Sequence, residues 1–488
     1  MCIKRITCNV VGLGLLTSVL FSACTAQKKV SAYVTTADQS MVFKPLSIPV
    51  DKGSSSDANT IVLNPAVKYQ EMDGFGAAIT GSTCYNLLKM TAQDRAALLK
   101  ETFDPVQGMG YSYIRIAMGC SDFSMEEYTH CDSVGIENFA IHELDKRDLF
   151  PILKEILAIN PKVKIMSSPW TPPIWMKVNN LKECKPFPSW INGQLNPAFY
   201  QDYATYFVKF IQAMEKEGFH IDATTIQNEP LNRGNSASLF MTWQEQRDFI
   251  KTALGPAFKK AGIKTKIVAY DHNYNYDYPD KEECADQVGY PEHIYADAEA
   301  AQYIDGAAFH AYGGDKQEML RIHNVRPDKS LYFTEISIGE WGDGYSFASD
   351  LMWNLREVGI GTINNFSKAI MVWNLMLDDK HAPYRPHGCN MCLGAIDISS
   401  TDYKTMVKNS HYYAMGHLSK VIKPGAYRIG VSDWQKKGIY YTAVMNPDGS
   451  YGIVLQNETD VAVDIKVSEG KNTFHFAVPA KSVNSFIW

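Results

Sequence analysis

Eight times between Met72 and Leu377, a short apolar or β-branched run gives way to an amphipathic stretch, and nothing else in the chain constrains the fold so tightly. The runs are MDGFGAAIT from Met72, YSYIRIAM from Tyr111, KIMSSPW from Lys164, ATTIQNEP from Ala223, KIVAYDHN from Lys266, DGAAFHAY from Asp305, SLYFTEIS from Ser330 and AIMVWNLML from Ala369. Two of the segments between them, 198–218 and 246–262, repeat apolar residues at helical spacing and end in glycine, which closes helices in the left-handed conformation. Alternating strands and helices imply a parallel sheet, and eight units in a row predict an α/β chain closed into a (β/α)8 TIM barrel rather than an open sheet.

The period changes after about Gly416. AYRIGVS, GIYYTAVMNPDGSYGIVLQNE, AVDIKVSEGK and NTFHFAVPAKSVNSFIW alternate apolar with polar residues and are punctuated by PDGS and EGKN turns. This predicts a closely packed antiparallel β-sandwich side domain over 416–488, beside a barrel over 72–415. The polar text of 24–71 holds short strand-like runs assigned to the same sandwich.

Residues 1–23 read as a signal peptide. Lys4 and Arg5 precede an apolar stretch from Val10 to Phe21 that is too short to span a bilayer, and FSAC ends at Cys24 in the manner of a bacterial lipobox. Lipidation of Cys24 would make the protein an exported lipoprotein of the outer membrane, anchored on the cell surface or the periplasmic face. A net charge of −6 without a basic run excludes nucleic acid as a partner. Seven cysteines remain after Cys24, an odd and scattered set that is no disulfide framework. Cys389 and Cys392 have metal-knuckle spacing, but no second pair accompanies them, so neither a metal nor any other cofactor is expected; whether they form a local disulfide stays open. Aromatic residues make up 12% of the chain, a figure that a large core explains before any ligand does.

In such a barrel the chemistry sits where strands end. Those ends carry Arg115 leading to Asp122, Trp170, Asn228 with Glu229, Asp271 with His272, His310 with Tyr312, Glu335, and Trp373 with Asn374. A lone glutamate ahead of proline, as in Asn228-Glu229-Pro230, is ordinarily a solvated loop residue, and His310 alone is ordinarily a packing histidine. Two glutamates on the fourth and seventh strands, among tryptophan and amide side chains, are a different matter. One carboxylic acid to protonate a leaving oxygen and one carboxylate to attack an anomeric carbon are what a glycosidase needs.

The same residues carry a family resemblance. GFGAAITGS at Gly74, YIRIAMGCSDFS at Tyr113, SSPWTPPIWMK at Ser167, QNEP at Gln227, FHAY at Phe309, FTEIS at Phe333 and SHYYAMGHLSKVIKPGAYRIG at Ser410 resemble glycoside hydrolase family 30 of clan A, in order and over nearly all the chain after Met72. The resemblance implies a retaining hydrolase with Glu229 as acid/base and Glu335 as nucleophile. It further implies sugar-binding roles for Asp122, Trp170, Asn228, His272, Tyr312 and Trp373, with Arg115 and His310 supporting the nucleophile's charge. Gly81 departs from the family, which commonly has aspartate there. The loop GCNMC after the eighth strand is similar to the endo-β-1,6-glucanase branch, so the expected substrate is β-1,6-linked glucan. The alternatives are glucosylceramidase-like, β-glucosidase or β-xylosidase activity, or a non-catalytic glycan-binding lipoprotein; a dead barrel would have little reason to keep both glutamates. A retaining site predicts carboxyls roughly 5–5.5 Å apart. It also predicts that the charge of Glu335 raises the Glu229 carboxyl while Arg115 keeps Glu335 ionised.

Overall fold

The computed structural model describes residues 29–54, 60–276 and 285–488 except position 433. The signal segment and Cys24 lie outside the described residues. Eight strands close a barrel: β1 (Gly74–Ala78), β2 (Tyr113–Ala117), β3 (Lys164–Ser168), β4 (Ala223–Thr225), β5 (Lys266–Asn273), β6 (Ile304–His310), β7 (Ser330–Glu335) and β8 (Ser367–Asn374). Each pairs in parallel with the strand before and the strand after it in sequence, and β8 returns to β1. These are the eight expected runs. The fourth is shorter than its text suggests, because the chain leaves the sheet after Thr225 to form the site described below.

Large and small side chains fill the barrel together. Tyr113, Met166, Tyr332 and Met371 interlock with Ala223, Ala308 and Ala369 around Val268, all of them fully buried. Helices clothe the outside. The helix Tyr200–Lys216 buries Tyr203, Tyr206, Phe207, Phe210, Ile211 and Met214, a one-sided stripe at spacings of three, one, three, one and three. The helix Gly255–Ala261 stops at Gly262, whose φ of 70° is the left-handed cap its glycine promised.

The second unit is a β-sandwich built from both ends of the chain. Lys29–Thr36 pairs antiparallel with Ser482–Ile487. The long strand Thr60–Glu71 pairs antiparallel with Tyr427–Val431 at one end and in parallel with Val463–Ser468 at the other, so one pair departs from the antiparallel pattern expected. The expected boundary at 415/416 also needs correction, for the helix Ser410–Val421 runs straight through it. That helix is buried on nearly every side between barrel and sandwich. His417 ties it to the sandwich, with Nδ1 2.8 Å from Ser485 Oγ and Nε2 2.8 Å from Thr35 Oγ1. Among the described residues no helix is long and apolar enough to cross a membrane.

Candidate active site

Backbone distortions at the strand ends turn neighbouring side chains to the same side. In a regular strand Asp271 and His272 would point to opposite faces. The register of β5 against β6 slips between Tyr270 and His272, and Tyr270 and Asp271 have φ of 71° and 74°. A bulge of this kind re-aims one of two neighbours, and both reach the barrel mouth. Glu229 is likewise left-handed, with φ 46°, its N–H bonded to Asp271 O at 2.9 Å, so that Asn228 and Glu229 both face inward. A second slip, between Phe309 and His310, sets His310 beside Glu335.

Arg115, fully buried, organises the centre. Its Nη1 donates to Glu335 Oε2 at 2.6 Å, its Nη2 to Asn228 Oδ1 at 2.7 Å and Asp271 Oδ2 at 2.8 Å, and its Nε to Ser168 Oγ at 3.1 Å. Its guanidinium lies 4.9 Å from the Trp170 ring centre and 5.7 Å from that of Trp373, two rings stacked on each other at 5.3 Å. Tyr312 OH donates to Glu335 Oε1 at 3.0 Å, and Asn232 Nδ2 donates to Glu229 Oε2 at 2.7 Å. His310 joins the two glutamates. Its Nδ1 is 3.2 Å from Glu229 Oε1 and 3.9 Å from Glu335 Oε1, while Nε2 meets Asp271 Oδ1 at 3.0 Å. The two glutamate oxygens are therefore no farther apart than the sum of those first two contacts. That bound admits the roughly 5–5.5 Å carboxyl separation of a retaining pair.

Charge in the site follows from these contacts. Burial pushes the Glu229 carboxyl up, but the imidazoles of His272 and His310 against it prevail and hold it well below the usual carboxylate range. Burial opposes charge on His310, yet the carboxylates of Glu335, Asp271 and Glu229 carry its value up to about 9. Burial likewise raises Glu335, aided by the charge of Glu229 and opposed by His310 and Arg115. One proton is thus shared along the His310 Nδ1–Glu229 Oε1 contact, and in the free site it rests on His310. The expectation that Glu335 keeps the proton on Glu229 itself is corrected: His310 sits closer to Glu229 than Glu335's push can overcome. Asp122 is raised well above its ordinary value by burial and by the charges of Glu335 and Glu229.

Asp122, Glu229, His272, Tyr312, Glu335 and Trp373 all line one open cleft of about 330 Å³. Trp170 does not. It is 1% exposed beneath Trp373, so the structure replaces its expected sugar contact with a role under Arg115. Asn228 is nearly buried and holds Arg115, and His310 serves Glu229 and Asp271 before it serves the nucleophile. Sequence reasoning missed Asn232, three residues beyond Glu229 and legible only as a turn, and the cleft walls Trp341 and His387. It noted Asp271 without giving it a part. Cys389 and Cys392 are joined by a disulfide and form one wall.

A closed barrel with one buried glutamate just beyond its fourth strand and another ending its seventh, flanking an open cleft beside tryptophan, is the working end of a two-carboxylate glycoside hydrolase. Comparison with known proteins gives the family. Residues 72–422 match the Glycosyl hydrolase family 30 TIM-barrel domain and residues 425–486 its beta sandwich domain, and the chain belongs to that family. A solved endo-β1,6-glucanase is 54% identical, with a TM-score of 0.90 over 94% of this chain and 99% of its own. An endo-1,6-β-D-glucanase of Neurospora crassa is 29% identical across 90% of this chain and 91% of its own length. The lysosomal acid glucosylceramidase of Mus musculus is 28% identical across 88% and 83%.

Proposed function

We propose that the protein is a retaining endo-β-1,6-glucanase. The observation that carries the substrate is the 54% identity, maintained over 94% of the chain, to an endo-β1,6-glucanase of the same fold. Glu335, ionised and held by Arg115 and Tyr312, attacks the anomeric carbon. The glycosidic oxygen leaves with the proton that Glu229 draws from His310 across their 3.2 Å contact, and a glucosyl ester forms on Glu335. Glu229 then takes a proton from water, the water oxygen displaces Glu335, and the sugar leaves with its original configuration. Asp122, pushed toward its protonated form by burial and by the charges of Glu335 and Glu229, is suited to donate a hydrogen bond to a sugar oxygen, and Trp373 lines the same cleft.

Digestion of β-1,6-glucan, β-1,3-glucan, xylan and glucosylceramide in parallel tests the reading. Short β-1,6-linked gluco-oligosaccharides should appear early and from the first substrate alone. Glucose as the sole early product, or faster cleavage of xylan or glucosylceramide, would overturn it. Export and a lipid on Cys24 belong to the same proposal, supported by the basic, apolar and small-residue sequence of the first 24 residues. A Cys24→Ser chain should lose labelling by radioactive palmitate; retained label would refute the anchor.

A further inference from the structure

Glu229, His272 and His310 hold three donor atoms closer together than hydrolysis of a sugar requires. One ligand atom from each lies within 4.8 Å of the other two, and all three residues are buried. Glu229 Oε1 is 3.2 Å from His310 Nδ1 and 3.6 Å from His272 Nδ1. Ligands bound about 2.0–2.1 Å from a tetrahedral zinc ion stand roughly 3.3 Å from one another, so two edges of such a site already have its length.

The surroundings match as well. Zinc-binding histidines characteristically give their second nitrogen to a carboxylate, which orients the ring. His310 does so to Asp271 at 3.0 Å, and Asp271 is fixed in turn by Arg115, Thr225 Oγ1 at 2.7 Å and Thr334 Oγ1 at 2.6 Å. Three carboxylates, Glu229, Asp271 and Glu335, surround one guanidinium and one imidazole, so metal entry that releases the His310 Nδ1 proton to solvent leaves a surplus of negative charge suited to a dication. Glu229 and His272 border the open cleft, which leaves the fourth position to water. Two imidazoles and one carboxylate select zinc, copper, nickel or cobalt over magnesium or calcium, which prefer all-oxygen sets.

We propose that the barrel mouth also binds one divalent transition-metal ion, through Glu229 Oε1 and the Nδ1 atoms of His272 and His310, and that occupancy reversibly stops hydrolysis. The ion takes the electron pairs that carry the proton to the leaving oxygen and stands where that oxygen must sit. It is an inhibitor, at a site separate from the disulfide-bonded Cys389–Cys392 pair. Binding itself requires nothing about which sugar is the substrate.

Cobalt titrated into the whole protein without substrate should give the visible absorption band of a four-coordinate ion, saturating at one ion per chain and lost when zinc is added. Zinc should inhibit hydrolysis in competition with substrate, and a chelator should restore the rate. By calorimetry, His272→Ala and, separately, Glu229→Gln should each weaken zinc binding by at least about tenfold. Both variants are read by metal binding and by their melting curves, so either one that folds decides the matter. No cobalt band and no binding heat at about 1 mM metal would overturn the proposal. So would zinc binding of unchanged strength in the folded variants, which would move the ion to exposed histidines such as His220 or His293.

Discussion

The two ends of the barrel both bury charge, and they bury it differently. At the end where strands begin, the carboxylate Asp73 meets three ammonium groups, Lys164 at 2.6 Å, Lys368 at 3.5 Å and Lys266 at 3.9 Å. Tyr113 and Tyr332 donate from the barrel interior to Asp222 and Asp305, both at 2.7 Å. Three lysines face three carboxylates there, with Lys266 also 3.3 Å from Asp222; the lysines keep partial contact with water, and the Asp73 carboxyl is held below its ordinary value by them despite burial. At the mouth, three carboxylates crowd around one guanidinium and one imidazole, and Glu229 and His310 lie close enough to exchange a proton. The same scaffold uses charge for cohesion at one end and for reactivity at the other, as barrels of this class do. Residues at the base should therefore change stability and leave turnover alone, while residues at the mouth should change turnover far more than stability.

The largest expected effect is at the mouth. Glu335→Gln should lower kcat on every substrate by on the order of 10⁴-fold or more, with an unchanged melting temperature. Comparable losses of stability and activity would erase the contrast. At the other end, Asp73→Ala removes the carboxylate that Lys164, Lys368 and Lys266 share, leaving Lys266 with Asp222. With those lysines partly solvated, the cost should be about 1–3 kcal/mol of unfolding free energy, measured by denaturant titration, with kcat per folded molecule intact.

The smallest effect is graded with pH. The alkaline limb of kcat/KM should fall as pH passes about 9, where His310 loses the proton it shares with Glu229, and the acidic limb should report protonation of Glu335, raised above the ordinary glutamate value. Stability follows the same sign. The folded value of His310 lies above its ordinary roughly 6.5, so its contribution is complete below that pH and is lost as pH rises through about 9. In His310→Gln the alkaline limb should move downward. A limb that stays in place would assign the proton elsewhere.

The sequence made the strands visible because each is a buried run bounded by helix and turn signals, and all eight are present. It made Glu229 and Glu335 visible because both end such runs. The relation between neighbours was hidden. Period-two alternation sends one of Asp271 and His272 away from the site, and only the bulge and left-handed residues at 270 and 271 return it. Trp170 read as a sugar platform because tryptophan at a strand end often is one. That Arg115 and Trp373 cover it depends on contacts across the barrel that no local pattern encodes. The boundary near 415 failed for a related reason: the helix Ser410–Val421 is buried almost all round and lacks the polar face by which a surface helix declares its limits.

In the proposed mechanism Glu335 forms the covalent bond while the proton shared by Glu229 and His310 serves the leaving group. The most direct test is to trap the intermediate with an activated 2-deoxy-2-fluoroglucoside and map the modified peptide by mass spectrometry. One fluoroglucosyl group per chain should form, on Glu335, with activity returning as the ester turns over. Label on Glu229, or full inactivation without any covalent adduct, would contradict it.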